Sequence, residues 1–561
     1  MILRSRPHQR PAQLVKEPSS ARLVVVTLAI AVAIALAHVQ AESQLVRFQG
    51  GINLSGEEYI ASAGSARRPG RAARAVLTPT VILFDQIQLP FEVFVGTEGK
   101  GFRQPFNQFG VNPRVFGWLT LHAGYYSARI SDLTFGDARL YGAGLEATPG
   151  IFRFTLLYGR SQRAVSPDTL NGILGAYERW IMAVKLGVGR ESSYFFDLNF
   201  MHAKDDLASV ASPTPQLSPK ENAVLSLRFG LPLILPVLSL TGEVGVSALS
   251  NDTRAAEFGH VPSVVRHIFS PRLSSQFDAA GKISLNVSPV SVASVRFSGE
   301  WVGPGFVTLG YTQLQNDVFD LTAAPALHLL DGKLNLTGTY GKRYNNLRSN
   351  RFSTTQRTIG SLGVSSQPTQ AFGFDITYTN YGMRSSATND TLRIDNVTKS
   401  LTVSPRTTFS GLGGVNTVVF SYNFNEFTDY NVVSAATSQN KTGMGTITWS
   451  LSLPEALTLS TSLLYTTSAA STARTTVKSL TQTVGHPFFD NKVVTNFTLG
   501  FNVVTPAASS GQLSMRLTVT YVTVGTISFS LMSNAYNLGG GSATAPSYHE
   551  FQASLQYGLS F

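Results

Sequence analysis

The stretch that decides the fold is EFQASLQYGLSF, residues 550–561, in which apolar and polar side chains alternate strictly. Its apolar positions are Phe551, Ala553, Leu555, Tyr557, Leu559 and Phe561. A period of two is typical of a β-strand with one apolar face. Chains usually continue past their last element in frayed residues. A strand that closes a ring against the first strand leaves no room for a tail, so this ending predicts a closed sheet.

The same alternation recurs along the chain from about residue 45 onward. It is clearest in VVFSYNF (418–424), VVTNFTLGFNV (493–503) and QLSMRLTVTY (512–521), and almost nothing has a helical period. Strands of a transmembrane barrel need about 9–11 residues, whereas strands of a soluble sandwich are nearer 5–6. The segments here have the longer length. We therefore predict an all-β protein that is a large single-chain transmembrane antiparallel β-barrel.

Composition agrees with a barrel that faces lipid. The chain has 561 residues, of which 43% are hydrophobic and only 14% charged, against about 25% charged in an average soluble domain. After the first 40 residues no apolar run approaches the roughly 18 residues of a membrane helix. Few charges without such a helix favour strands with one lipid-facing side. The absence of cysteine excludes disulfides and thiolate sites.

Residues 1–41 resemble an export signal that is removed. Basic residues precede the apolar run LVVVTLAIAVAIALA (23–37), and the small residues Val39 and Ala41 suit cleavage after Ala41. Removing this segment takes a net +4 from the formal net charge of +11 and leaves about +7. The predicted domain organisation is a cleaved signal peptide (1–41) and a barrel (42–561) without a separate plug domain.

The connections predict the topology. Short turns rich in Pro, Gly and Asp, such as LLDGKL (329–334) and LPEAL (453–457), largely alternate with long polar stretches such as residues 202–222 and 250–269. Bacterial barrels have short periplasmic turns and longer extracellular loops. Tracing the strands on this basis predicts about 26 strands, with 24–26 the favoured range. An even number places both termini in the periplasm, in the outer membrane of a Gram-negative bacterium.

Charged residues in the middle of strands fall on the polar side of the alternation. They are therefore candidate lumen-facing residues: Arg228, Glu243, Lys282, Arg296, Glu300, Asp375 and Arg516. The alternation of the last strand, with its terminal aromatic, resembles the signal read by the barrel-assembly machinery. We therefore expect Tyr557, Leu559 and Phe561 to form an assembly signal.

Two longer passages resemble a known family. RRPGRAARAVLTPTVILFDQIQLPFEVFVGTEGKGFRQPFNQFGVNPRVFGWLTLHAGYYS (67–127) continues into LYGAGLEATPGIFRFTLLYGR (140–160). The second passage joins QNDVFDLTAAPALHLLDGKLNLTGTYGKRYNNL (315–347) to GSLGVSSQPTQAFGFDITYTNYG (360–382). The pattern, over roughly residues 45–382, is similar to uncharacterised outer-membrane β-barrel proteins of the Bacteroidota–Chlorobiota type. The resemblance implies fold and location, and it brings no substrate and no catalytic residues.

The remaining motifs are more consistent with structural roles than with catalytic or binding sites. His202 with Asp205 and Asp206 suits an acid–base group less well than a solvated loop. FRQPFNQFGVNPR (102–114) is interpreted as a strand with a tight turn at Asn112–Pro113 in preference to a constriction lined by Gln104, Asn107 and Gln108. The cluster of Arg67, Arg68, Arg71 and Arg74 is interpreted as a solvated loop, and nucleic acid is not an expected partner. The scattered histidines lack metal-ligand spacing.

Two functions of different classes remain. One is a channel or transport pore for polar solutes or a larger substrate. The other is a structural, assembly or secretion component whose lumen or rim holds a partner protein. About 26 strands enclose a wide pore, so inward-folded loops or an occluding partner protein must block a leak. The expected partners are outer-membrane lipid and lipopolysaccharide, and the barrel-assembly machinery during insertion. No enzymatic activity and no cofactor are expected, and a soluble secreted β-protein is the remaining alternative.

Overall fold

The computed structural model describes the chain in eleven segments. These are residues 46–62, 68–84, 87–96, 108–136, 138–168, 172–234, 237–258, 268–471, 473–505, 510–537 and 547–561. The predicted signal peptide (1–41), Arg67, Gln104 and Asn107 lie outside the described residues.

Strands make up nearly all of the regular structure. The first fifteen are β1 Val46–Gln49, β2 Gly51–Ala61, β3 Arg71–Leu77, β4 Thr80–Leu83, β5 Ile87–Gly96, β6 Gln108–Val111, β7 Arg114–Val115, β8 Leu119–Ala128, β9 Ala138–Ala147, β10 Phe152–Gln162, β11 Glu178–Gly189, β12 Phe195–Asp206, β13 Glu221–Ile234, β14 Leu238–Ser250 and β15 Ser275–Val290. The others are β16 Ala293–Val302, β17 Val318–Leu329, β18 Leu334–Asn345, β19 Thr355–Ser366, β20 Phe372–Ser385, β21 Asp395–Gly411, β22 Gly414–Asp429, β23 Asn440–Ser452, β24 Thr458–Ala470, β25 Ala473–Phe488, β26 Val493–Thr505, β27 Ser510–Thr523, β28 Gly525–Tyr536 and β29 Tyr548–Ser560. The described helices are one 3₁₀ turn, Leu207–Ser209, and one α-helical turn, Ala435–Ser438.

Three pairs of these segments are single barrel strands with a break. β5 pairs with both β3 and β4 on one side and with both β6 and β7 on the other, and β1–β2 runs along β4–β3 in the same way. The described residues therefore form 26 barrel strands, and the predicted fold class is confirmed. The predicted tight turn at Asn112–Pro113 is wrong. Proline cannot donate to the ladder, and the chain continues past it in the same direction.

Gly50 shows why one of these breaks needs glycine. It lies between β1 and β2, directly opposite the break at Thr78–Pro79 between β3 and β4. A Cβ atom on Gly50 would lie 2.5 Å from the Thr78 carbonyl oxygen and 2.7 Å from the Pro79 Cα atom. The two irregular backbones approach so closely that only a residue without a side chain fits.

The sheet closes on itself. β29 pairs antiparallel with β28 on one side and with β2 on the other, from Gly51↔Ser560 to Ala61↔Glu550. At one end of this seam, the Gly50 amide donates to the Phe561 carbonyl at 2.7 Å, and the Phe561 amide donates back at 3.1 Å. The last strand therefore has a partner along its whole length, and closure removes the sheet edge that an open barrel would expose.

The two ends of the barrel differ in their connections. We name them the Phe561 rim, where the chain ends, and the loop rim opposite. At the Phe561 rim the connections are tight, such as residues 330–333 between β17 and β18 and 412–413 between β21 and β22. Most connections at the loop rim are longer, such as 207–220 and 303–317, although β24 and β25 are joined there by only residues 471–472. The rhythm predicted from the sequence is therefore present with exceptions.

One face of the sheet is apolar and exposed. Leu186, Leu198 and Leu227 are register neighbours on β11, β12 and β13, and each is at least 41% exposed. Nearer the loop rim, Tyr158 and Trp180 stack with ring centres 5.3 Å apart on this same face. An apolar band bordered by aromatic rings is the pattern of a lipid-facing barrel surface. Among the described residues, no helix is both long and apolar enough to cross a membrane.

Candidate functional site on the inner wall

An apolar cluster identifies the inner face of the closed sheet. Its wall residues come from ten consecutive strands, β8 to β17, and include Leu140, Leu157 and Val224. The two loops that complete it connect β8 to β9 (129–137) and β16 to β17 (303–317). One small cluster can contact ten neighbouring strands only from the concave side of a curved sheet. The face that carries these wall residues is therefore the inside of the barrel.

The two loops, which we name the inner loops, pack tightly against each other. Leu133 and Phe135 of the first loop are fully buried, and Phe306 of the second is 1% exposed. Phe135 and Gly310 form a parallel bridge, and the Gly136 amide donates to the Gly310 carbonyl at 3.2 Å. Such burial with backbone hydrogen bonds makes the inner loops a packed element.

The wall holds the second inner loop with polar side chains. Asn222, fully buried on β13, donates from Nδ2 to the Val307 carbonyl at 3.0 Å and accepts from the Leu309 amide at 2.9 Å. Ser247 on β14 donates to the same Val307 carbonyl at 2.5 Å. The loop's buried backbone groups therefore have partners, as a segment inside a protein requires.

A row of charged side chains crosses the inner wall beneath the inner loops. Each member is the direct register neighbour of the next on ten consecutive strands, with one glycine among them. This charged row consists of Arg153, Gly187, Asp197, Arg228, Glu243, Lys282, Glu300, Asp320, Arg343 and Arg357. It starts near the Phe561 rim on β10 and ends near the loop rim on β19. A row along the hydrogen-bonding direction climbs the wall because barrel strands are tilted.

At its end near the Phe561 rim the charged row forms a compact ionic cluster. Arg153 Nη2 lies 2.7 Å from Glu191 Oε1 and 3.3 Å from Asp197 Oδ2. Arg228 approaches the same two carboxylates at 3.2 and 3.9 Å. Gly187 makes room for this cluster, since a Cβ atom there would lie 2.1 Å from Asp197 Oδ1.

Both guanidinium groups of the cluster lie against one aromatic ring. The guanidinium carbons of Arg153 and Arg228 lie 5.0 and 4.9 Å from the centre of the Phe195 ring, a cation–π geometry on both. Glu191 belongs to the turn that connects β11 to β12, at the Phe561 rim. Burial alone would raise the pKa of Glu191, but hydrogen bonds and positive charge from Arg153 and Arg228 outweigh it and hold the pKa below its ordinary value.

The middle of the row carries charges of both signs next to one another. Lys282 Nζ lies 3.3 Å from Glu300 and 3.7 Å from Asp132, which belongs to the first inner loop. Asp320 pairs with Arg343 at 2.6 Å. Glu243, only 6% exposed, accepts a hydrogen bond from Ser226 at 2.6 Å. Most charges on this wall are thus neutralised locally, which makes a polar surface of nearly balanced sign.

A cavity of about 520 Å³ lies along this part of the wall. Its lining includes Arg228, Glu243, Lys282, Glu300 and Asp320 of the charged row. Asp132 of the first inner loop and Glu191 of the turn at the Phe561 rim also contribute, together with hydroxyl groups of the neighbouring strands. The charged row, the inner loop and water-sized space therefore meet at one place inside the barrel.

The predicted lumen-facing residues all occupy the inner face according to the register. Arg228, Glu243, Lys282 and Glu300 are brought together as consecutive members of the charged row. The other three lie apart from the row. Arg296 lies on β16 four residues from Glu300, nearer the Phe561 rim. Asp375 lies 4.0 Å from Arg406, and Arg516 donates to Met532 Sδ at 3.3 Å.

Sequence reasoning missed the rest of the row, including Arg153, Asp197, Asp320 and Arg343. Their positions in the alternation were available as a signal, and each lies on the polar side of its strand. What the alternation does not contain is the register, which alone makes residues far apart in sequence direct neighbours.

The other residues singled out in the sequence lie outside the charged row. His202 and Asp205 are within β12 and point to opposite faces: His202 Nε2 lies 3.1 Å from Glu221, and Asp205 pairs with Arg179 at 2.7 Å. Leu559 of the expected assembly signal is 7% exposed in a small cluster with Ile52, against which Tyr557 and Phe561 pack. The described groups of His, Asp and Glu include none suited to hold a metal ion.

The inner wall of the later strands has a different character. It presents hydroxyl pairs such as Thr448–Ser462 (3.1 Å), Thr483–Thr498 (3.1 Å) and Thr520–Ser528 (3.1 Å). One arc of the barrel is therefore charged and covered by the inner loops, and another arc is lined mostly by small hydroxyl groups, with Arg516 among them.

Comparisons with known proteins give remote likenesses only. No family model and no curated protein matches the chain. Among solved structures it is similar to the P pilus usher (PapC) translocation pore, with a TM-score of 0.37 and 11% identity over 92% of this chain and 100% of that one. It is also similar to the siderophore receptor PirA from Pseudomonas aeruginosa, with a TM-score of 0.37 and 12% identity over 91% and 80% of the two chains. A BenF-like porin from Pseudomonas fluorescens Pf-5 aligns with a TM-score of 0.29 and 8% identity over 92% and 100%. The strand pairings within the described residues, and not these likenesses, define the class of the protein as a closed 26-stranded β-barrel with a polar interior.

Proposed function

We propose that this protein is an integral β-barrel of a Gram-negative outer membrane and acts as a channel for polar solutes. The observation that carries the proposal is the charged row, which crosses the inner wall from near one rim to near the other. An apolar exposed outer face supports the membrane location, because only closed barrels and helices satisfy their backbone groups in lipid. Near balance of charge along the row supports weak selectivity between small ions.

The extent of the inner loops favours the channel over a component that holds a partner protein. Twenty-six strands about 4.8 Å apart give a perimeter of at least about 125 Å. The inner loops pack against ten of these strands, so they narrow the lumen and leave part of the described wall uncovered. Because the chain itself narrows the lumen, an occluding partner is unnecessary.

Several finer assignments belong to the same proposal. The resemblance over residues 45–382 supports an outer-membrane protein of the Bacteroidota–Chlorobiota type. The short turns at the Phe561 rim support placing both termini in the periplasm. We assign no enzymatic activity, and we propose that Tyr557, Leu559 and Phe561 are read by the assembly machinery.

The test is single-channel conductance of the purified, refolded chain in planar bilayers. We expect stable steps with a reversal potential close to zero in a salt gradient. The double variant Glu300→Gln/Asp320→Asn should shift the reversal potential toward anion preference, because it removes the carboxylates nearest to Lys282 and Arg343.

The matched control removes two carboxylates from turns at the Phe561 rim, Glu455→Gln/Asp490→Asn, and should conduct as the wild type does. A barrel that inserts in the membrane but gives no steps would contradict channel activity. A conducting barrel whose double variant keeps the original reversal potential would remove the charged row from the solute path.

A further inference from the structure

The outward face of the barrel carries cations at one end only. In the described strands, outward-facing lysines and arginines lie within six residues of the strand end at the loop rim. They are Arg71, Arg139, Arg160, Lys204, Lys342, Arg384, Lys399, Lys441, Arg474 and Lys478. Charge on a lipid-facing surface is least costly near an interface, but that argument applies equally to both rims. The asymmetry between the rims needs a second cause.

Four of these ten cations lie on the neighbouring strands β21 to β25. Lys399, Glu426, Lys441, Ala469 and Arg474 are successive register neighbours. Lys478 lies four residues further along β25 on the same face, opposite Tyr465. We name Lys399, Lys441, Arg474 and Lys478 the cationic patch. Strand spacing of about 4.8 Å spreads it over about 19 Å.

Little negative charge compensates the patch. Lys441 pairs with Glu426 at 2.6 Å, and the other outward carboxylate of this arc, Asp395, pairs with Arg384 at 3.3 Å. Within the described part of the chain, no carboxylate lies within 4.0 Å of Lys399, Arg474 or Lys478 in an ion pair. Arg474, Lys478 and Lys441 are exposed on the surface.

The patch borders an apolar surface. Toward the middle of the same strands, Ile447, Leu463 and Leu480 point outward with 46%, 50% and 46% exposure. Tyr465, 50% exposed, is the register neighbour of Lys478 and marks the boundary. Aromatic rings at such a boundary are typical of the level of lipid headgroups. The patch therefore lies where headgroups meet the barrel.

We propose that the cationic patch binds the phosphate groups of the phosphorylated glycolipid in the outer leaflet, which places the loop rim at the cell surface. Clustered Lys and Arg at a membrane surface attract anionic headgroups, and phosphate accepts charge-assisted hydrogen bonds from both residue types. The inference rests on the outer-membrane location in the proposed function, but it does not depend on conduction.

The test is retention of lipid A by the full mature barrel in nanodiscs, read by native mass spectrometry. The variant Lys399→Gln/Arg474→Gln/Lys478→Gln keeps Lys441, so that Glu426 retains its partner. We expect the wild type to retain phosphorylated lipid A and this variant to lose at least about tenfold in retention. Lipid A without phosphates should be lost from the wild type to the same degree.

The matched control removes three cations from turns at the Phe561 rim, Arg190→Gln/Lys333→Gln/Lys492→Gln, and should retain lipid A fully. Equal retention by the patch variant and the wild type would overturn the proposal, as would equal retention of phosphate-free lipid A. Displacement of the lipid by millimolar inorganic phosphate would also overturn it, because the patch would then be a simple anion site. Conductance of the same preparations is a separate measurement, so a silent barrel that still retains lipid A would contradict only the channel.

Discussion

At the residue scale, Glu550 shows how one side chain strengthens the closing seam of the barrel. It is 8% exposed, and its carboxylate accepts hydrogen bonds from Tyr59 at 2.8 Å and Tyr536 at 3.0 Å. Tyr59 lies on the first barrel strand and Tyr536 on the strand before the last. Glu550 therefore links three strands across the junction at which the first and last barrel strands meet.

Replacing Glu550 by alanine should destabilise this junction. We expect Glu550→Ala to lower the free energy of unfolding by about 2 kcal/mol, since hydrogen bonds to a charged group contribute about 1.5–3 kcal/mol and two tyrosine hydroxyls lose their acceptor. The measurement is urea unfolding of the barrel in lipid vesicles. Glu455→Ala, in an exposed turn, is the control and should change nothing. Equal unfolding midpoints for Glu550→Ala and the wild type would show that the seam does not need this carboxylate.

Glu191 leads to a pH-dependent prediction. Arg153 and Arg228 hold the pKa of Glu191 below its ordinary value. A carboxyl group whose pKa is lower in the folded state stabilises the fold above its unfolded pKa, about 4.3, and loses that contribution as the pH falls through the folded value. The wild type should therefore be more stable than Glu191→Gln at pH 7, and the difference should vanish in strong acid.

This difference is measured by unfolding both proteins in a series of buffers from neutral to acidic pH. It should be small, because the Glu191 side chain is 61% exposed and solvent screens the pair. Glu455→Gln serves as the control at each pH. A difference that grows on acidification would have the wrong sign for the ion pairs described here.

At the element scale, the second inner loop is the part of the barrel whose removal is simplest to design. Val302, the last residue of β16, and Val318, the first of β17, are direct register neighbours. A two-residue turn such as Asn-Gly can therefore join these strands in place of residues 303–317. The shortened protein should still close, because all strand pairings remain.

We expect this replacement to increase single-channel conductance, because it removes the buried Phe306 and the contacts that hold the first inner loop at Gly136 and Phe135. The measurement is the amplitude of single steps in planar bilayers. Replacing residues 430–439 between β22 and β23 is the control, since this loop is outside the apolar cluster. Unchanged amplitude after the first replacement would mean that the inner loops do not narrow the conducting path.

At the scale of the whole molecule, the last residue is expected to matter more for assembly than for the finished structure. Phe561 packs against the cluster of Ile52 and Leu559, and its backbone exchanges two hydrogen bonds with Gly50. Phe561→Ala keeps those backbone bonds. It should therefore refold in detergent nearly as well as the wild type, yet accumulate severalfold less in the outer membrane of cells.

The heat-dependent shift in gel migration measures both the refolded fraction in vitro and the amount of folded protein in membrane fractions. Phe551→Ala, an outward residue of the same strand, is the control and should accumulate normally. If Phe561→Ala accumulates like the wild type, the terminal aromatic is not the assembly signal. If it also fails to refold in vitro, its role is structural.

The sequence by itself determined the class of fold, because a period of two needs only local information. Residues 550–561 already contain a strand with one apolar face, and the alternation places Arg228 and Lys282 on the face opposite to exposed neighbours such as Leu227 and Ile283. Turn composition gave the strand number for the same reason, since Pro, Gly and Asp act on the backbone next to them.

Only the tertiary structure decided which charges act together. Arg153 and Arg357 are about 200 residues apart in sequence, and they belong to one row because nine successive registers align them. The inner loops are likewise invisible to a periodicity argument, because Leu133, Phe135 and Phe306 become buried only when the curved wall brings β8 and β17 around them. Local patterns specify the face of each strand, whereas the register and curvature, which depend on every strand at once, specify what meets inside.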